Sequence, residues 1–151
     1  MSHFLPDPAA TEALGERLAA VLPPAALVHL QGPLGAGKTC LVRGLLRALG
    51  HQGTVRSPTY TLVEPYELAG LRLLHLDLYR LAHPEELEFL GLRDWLGEPH
   101  VLLVEWPERG AGVLPAADLE IRLGPSGPGR QAAVVGHGPL GRRLESALAA
   151  A

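Results

Sequence analysis

Gly32-Pro33-Leu34-Gly35-Ala36-Gly37-Lys38-Thr39 is the stretch on which the reading of this chain turns. It matches G-x-x-x-x-G-K-[ST], the pattern of a phosphate-binding loop. The spacing has a chemical reason. Glycines let the backbone curl until successive N–H groups converge on an anion. A helix that follows adds the positive end of its dipole. Lysine then reaches the outer phosphates, and the Ser/Thr hydroxyl can bind Mg²⁺. With 18 Gly, one Lys and nine Ser plus Thr in 151 residues, a chance match arises in roughly one such chain in a thousand. Lys38 is the only lysine; the other 12 of the 13 basic side chains are arginine. A protein that uses Arg for generic positive charge has a specific use for its one Lys.

Both flanks suit such a loop. Residues 26–30 form a short apolar run, a candidate buried strand. Residues 38–49 place Leu41, Val42, Leu45, Leu46 and Leu49 on a helical pattern, with Gly50 to end it. Farther upstream, Asp7-Pro8 reads as an N-cap with proline in the first turn of a helix that Pro23-Pro24 stops. Downstream, residues 55–67 and 71–79 read as strands joined at Ala69-Gly70. Pro84, Glu85 and Glu86 open a helix, interrupted at Gly91 and resuming through Trp95. Residues 101–104 form another apolar strand. Residues 118–123 and 131–135 pair across the Gly/Pro-rich segment 124–129 as a C-terminal β-hairpin. A final helix covers 140–149. Strands alternating with helices predict one α/β domain over residues 1–151, with a mixed, mostly parallel sheet flanked by helices.

A phosphate loop needs a carboxylate for the cation, usually at the end of an apolar strand. Two runs supply one: residues 73–76 end at Asp77, and residues 101–104 end at Glu105. Both can reach the phosphates, because ligands gather beyond the carboxyl ends of parallel strands. Mg²⁺ keeps several waters, so the two acids can share it directly or through water. Ser57-Pro58-Thr59-Tyr60-Thr61 lies where nucleotide switches place a hydroxyl. Thr59 could serve so, although β-branched residues equally suit a strand. Cys40, in the first helical turn, is either a reactive thiolate or a small packed residue. Trp106 at a strand end packs more often than it stacks on a base. Arg130 could meet a nucleotide or lie on a hairpin surface. His75, alternating with apolar neighbours, reads as a core or interface histidine.

Composition narrows the class. A net charge of −3 argues against broad electrostatic binding of nucleic acid. One cysteine excludes an internal disulfide framework. The N-terminal stretch lacks the charged and apolar regions of a signal peptide, and no apolar run is long enough for a membrane helix. The expected compartment is the cytoplasm.

The blocks GPLGAGKT, VRSPTYTLVEPYE, HLDLYRL, PEELEFLGLRDWL and LLVEWPERG resemble the TsaE family in order and spacing from about Leu5 to the C-terminal region. The resemblance implies a P-loop NTPase-like fold binding ATP and Mg²⁺. It implies a cofactor set of Gly35, Ala36, Gly37, Lys38, Thr39 and Cys40, with Trp106 and Arg130 near the nucleotide. It makes Thr39, Glu105 and Asp77 the metal set and Lys38, Glu105, Asp77 and Thr59 the catalytic set. It also implies weak, partner-stimulated ATP hydrolysis with TsaB and TsaD, which resets that pair between turnovers. TsaC supplies threonylcarbamoyl-AMP, and TsaD modifies the adenosine next to the anticodon of ANN-decoding tRNAs. Two positions depart from the usual family loop, GDLGAGKTT: Pro33 replaces Asp and Cys40 replaces the second Thr.

Among other readings, a GTPase would need Asn-Lys-x-Asp to read guanine, and the only lysine is already in the loop. A small-molecule kinase, the main alternative, requires an acceptor pocket and a cationic lid, and no lid stands out. A binding module without hydrolysis would show no ATP turnover.

Overall fold

The strand that precedes the glycine loop is the axis of the fold. β2 (Ala26–Gln31) is buried along nearly its whole length, because it has parallel neighbours on both sides and layers on both faces. A computed structural model describes residues 1–55 and 57–149. The elements before and after β2 are β1 (Ser2–Leu5), α1 (Pro8–Ala19), α2 (Lys38–Ala48), β3 (Val63–Leu68), β4 (Leu71–Asp77), α3 (Glu86–Leu90), α4 (Leu92–Gly97) and β5 (Val101–Glu105). A 3₁₀ turn (Pro107–Gly110) follows, then β6 (Leu119–Ser126), β7 (Gly129–Gly136) and α5 (Gly138–Ala149).

The seven strands form one sheet in the order β1-β7-β6-β2-β5-β4-β3. Its four central strands, β6-β2-β5-β4, are parallel, and hairpin partners complete both ends in antiparallel sense. This is the mixed α/β sheet expected, with the predicted C-terminal hairpin as β6–β7. Successive strand residues face opposite sides, so two cores result. Leu73, Val101 and Leu103 join Leu41, Leu45, Leu144 and Leu148 on the side of α1, α2 and α5. Leu74, Leu76, Leu102 and Val104 join Leu87 and Leu92 on the side of α3 and α4. The same alternation turns His75, Asp77 and Glu105 toward α2.

Local signals hold where they were clearest. Asp7 Oδ1 accepts from Ala10 N at 2.8 Å, with Pro8 opening α1. Ala69 and Gly70 both adopt positive φ in the β3–β4 turn. Gly91, at φ 110°, separates α3 from α4. Glu86 accepts the backbone N–H groups of Ala82 and His83, which fixes the entry to α3.

Three expectations change. The strand predicted over 55–67 begins only at Val63. Residues 57–61 instead form a loop whose hydroxyls bond to side chains, and Leu62, at φ 69°, turns the chain into β3. Arg56, inside that predicted strand, lies outside the described residues. The hairpin turn is tighter than 124–129, since β6 runs through Ser126 and β7 starts at Gly129. β1 was not anticipated; it adds to the far edge of the sheet by pairing with β7.

Helix α2 is set against α1 by two glycines. A Cβ on Gly15 would run into the Leu41 carbonyl, and one on Gly44 into the Glu12 carbonyl. The two backbones therefore touch directly, and α2 cannot move outward without losing that seam. Alanine favours a helix over glycine by about 1 kcal/mol, yet overpacking here costs roughly 1–3 kcal/mol. Gly44→Ala should therefore lower the urea midpoint of unfolding, against its helix propensity. A raised midpoint would show that the helices separate freely.

Candidate functional site

The loop between β2 and α2 takes its shape from glycine. Gly32, Gly35 and Gly37 sit at φ 145°, 77° and 105°, a region that side chains other than glycine rarely adopt. At two of them space is also closed. A Cβ on Gly32 would meet the Leu123 carbonyl, and one on Gly37 the Arg130 guanidinium. Gly37 caps α2 without any side-chain hydrogen bond, so the first amides of the helix remain available to an anion.

Lys38 is only 5% exposed. Its ammonium donates to the carbonyl of Gly32 and, at 3.5 Å, to that of Pro33. It also lies 3.9 Å from the centroid of the Trp106 ring. Burial holds its pKa below the ordinary lysine value, outweighing the opposing pull of Glu105, Asp77 and Glu108. Trp106 reaches this place through a left-handed turn, at φ 57°, directly after β5. Its ring packs on Tyr79 at 4.9 Å.

The two acids come from the register of β4 and β5, which pairs Asp77 with Glu105. Both are buried. Glu105 Oε2 accepts from the Thr39 hydroxyl at 3.2 Å and contacts His75 Nε2 at 2.6 Å. Asp77 Oδ2 accepts from Thr59 at 3.1 Å and Ser57 at 3.4 Å, and Oδ1 accepts from Tyr79 N at 3.0 Å. The hydroxyls of Ser57 and Thr59 are themselves 2.8 Å apart. Segment 57–61 is thus tied to the sheet through a carboxylate rather than a backbone ladder.

One cleft of about 260 Å³ is lined by Gly35, Ala36, Gly37, Lys38, Thr39, Cys40, Thr59, Asp77, Glu105, Trp106 and Arg130, together with Leu34 and Ser57. The structure therefore brings to one cleft all the residues assigned from the sequence to nucleotide, cation or catalysis. Cys40 sits at the rim, with its thiol 3.6 Å from the Pro8 carbonyl. Arg130 crosses from β7 to lie on Gly37 and reaches Thr11 at 3.4 Å. Sequence reasoning missed Ser57 and the engagement of His75. The signal for His75 was its place two residues before Asp77, hence on the same strand face.

The cleft can seat a polyanion and a cation together. Among the described residues, no group of three or more His, Cys, Asp or Glu converges on a metal position. The cleft offers instead two carboxylates, each hydrogen-bonded by hydroxyls: Glu105 by Thr39, Asp77 by Ser57 and Thr59. So sparse a set suits Mg²⁺, which keeps water and shares substrate phosphates.

The family description "Threonylcarbamoyl adenosine biosynthesis protein TsaE" matches residues 5–132. The chain belongs to the TsaE family. A relative described as tRNA threonylcarbamoyladenosine biosynthesis protein TsaE, from Haemophilus influenzae, is 43% identical over 98% of this chain and 97% of its own length. The Synechocystis protein of the same description is 50% identical over 72% of this chain and 71% of its own. The crystal structure of Bacillus subtilis YdiB superposes with a TM-score of 0.85 at 28% identity, covering 99% of this chain and 94% of that one. Membership of the TsaE family places this chain in tRNA threonylcarbamoyladenosine biosynthesis. Of the two departures from the usual TsaE loop, Pro33 offers its carbonyl to Lys38 and to Ala36 N, contacts that any residue there could make. Among the described residues no helix is long and apolar enough to cross a membrane.

Asp77 is the acceptor that secures segment 57–61. Asp77→Ala should raise amide hydrogen exchange in that segment while leaving α2 protected. Unchanged exchange at 57–62 would show that backbone packing alone holds it.

Proposed function

We propose that this chain is the ATP-hydrolysing accessory of tRNA threonylcarbamoylation, acting with TsaB and TsaD in the cytoplasm and resetting that pair between turnovers. The observation that carries the proposal is the meeting of Lys38, Thr39, Asp77 and Glu105 at one glycine-walled cleft. The residues fit a magnesium-bound triphosphate on three counts. Left-handed Gly32, Gly35 and Gly37 let the loop curl with no side chain at those three positions. The helix amides carry no side-chain cap. Among the described residues, the buried ammonium is met by carbonyls and a ring face alone.

In this reading the loop amides and Lys38 hold the phosphates, Lys38 exchanging neutral carbonyl partners for charged oxygens. Thr39 offers its hydroxyl oxygen to the cation, and Asp77 and Glu105 serve it directly or through water. Magnesium supplies positive charge that offsets the charge developing on the transferring phosphoryl group. Glu105, gripped at one oxygen, orients the attacking water. Thr59, held beside the cleft by Asp77, is the hydroxyl that responds to the outer phosphate. Arg130 adds a second positive charge against Gly37, and Trp106 and Cys40 complete the walls. TsaB and TsaD are expected to raise a slow intrinsic rate, with tRNA the substrate of the whole complex. Transfer of the threonylcarbamoyl group belongs to the partner.

Calorimetry with Mg-ATP and phosphate release with and without TsaB–TsaD test this. Lys38→Ala should abolish binding. Glu105→Ala should bind ATP within a few-fold of the parent and lose hydrolysis by roughly 100-fold or more, the scale of removing a positioned acid–base group. A parent chain without partner-stimulated hydrolysis, or a Glu105→Ala chain as fast as the parent, would overturn the proposal.

A further inference from the structure

His75 is fully buried on β4, facing α2, two residues before Asp77 and one strand away from Glu105. Its Nε2 lies 2.6 Å from Glu105 Oε2, and its Nδ1 is buried without a hydrogen-bond partner among the described residues. These two facts choose the tautomer. An ionised carboxylate oxygen only accepts, so so short a contact requires a proton on Nε2. A proton on Nδ1 would be a buried donor with nothing to meet. Thr39 already donates to the same oxygen. Oε2 therefore carries both bonds, and Oε1 is the oxygen left for the cleft that Glu105 lines.

The geometry points to His75 as a positioning residue: as the Nε2–H tautomer it fixes the Glu105 carboxylate, committing Oε2 to the protein and Oε1 to the cation or water. This rests on the reading of Glu105 given above. Carboxylate side chains have free rotation about their last bonds. A buried imidazole held in a sheet on one side and a helical hydroxyl on the other remove that freedom before any ligand arrives. The restraint is of the kind that outer partners exert on metal-binding groups, whose loss typically costs 10–100-fold in affinity or activity. A histidine that merely filled the core would serve no better than a side chain of similar volume.

Three variants separate these cases. Glutamine carries its amide nitrogen where imidazole carries Nε2, and asparagine carries it where imidazole carries Nδ1. His75→Gln should keep ATP turnover within a few-fold of the parent. His75→Asn and His75→Leu should lose roughly 10- to 100-fold in kcat, with ATP affinity in the absence of turnover changed less than threefold. Ring-nitrogen NMR of the nucleotide-free chain gives a readout independent of hydrolysis. His75 should appear as the Nε2–H tautomer, and its ring signals should shift in Glu105→Gln. An Nδ1–H tautomer, or a His75→Leu chain that hydrolyses ATP as fast as the parent, would overturn the inference. A parent that binds no Mg-ATP would end the nucleotide reading instead, and the tautomer would still decide whether His75 grips Glu105.

Discussion

One buried ammonium lies within the electrostatic reach of two buried carboxylates, and the rest of the structure is arranged to hold all three at one cleft. A charge taken out of water alone is unfavourable by several kcal/mol or more. Lys38 feels that penalty, since burial lowers its pKa, and Glu105 and Asp77 pull against it. The three groups come from three elements that parallel pairing brings to the same end of the sheet. Asp77 and Glu105 are register partners on β4 and β5, and Leu30, one residue before the end of β2, pairs with Glu105. A shift of register by one residue would turn one acid to the opposite face and leave the lysine one counter-charge fewer.

The same site depends on close backbone approaches that only glycine permits. Gly15 and Gly44 let the backbones of α1 and α2 touch, which seats the helix that carries Lys38 and Thr39 directly against α1. Gly32 and Gly37 allow the loop to lie on Leu123 and Arg130. The departures from the usual family loop fall elsewhere. Pro33 contributes a carbonyl, and Cys40 points toward Pro8 at the rim.

Much of this was legible in the chain. The apolar runs ending at Leu30, Leu76 and Val104 marked β2, β4 and β5 because strands covered on both faces read as nearly continuous hydrophobic stretches. The glycine pattern and lone lysine marked the loop, and strand-end acids marked its partners. The bond between His75 and Glu105 was not legible, because it spans 30 residues and needs the β4–β5 register. Segment 57–61 misled for a chemical reason. Its threonines carry strand propensity, yet their hydroxyls found a carboxylate and no ladder formed. β1 has only four residues, too short for alternation to register.

Asp77 lines the cleft and, through Oδ2, holds segment 57–61 by the hydroxyls of Ser57 and Thr59. A ligand that drew on that carboxylate would couple its own binding to order in the segment. Coupling free energies are reciprocal: whatever factor a ligand imposes on the segment, the segment imposes on the ligand. A macromolecule that grasps Tyr60, 82% exposed at the tip of this segment, would thus retune the cleft from outside, without contributing a single atom to it.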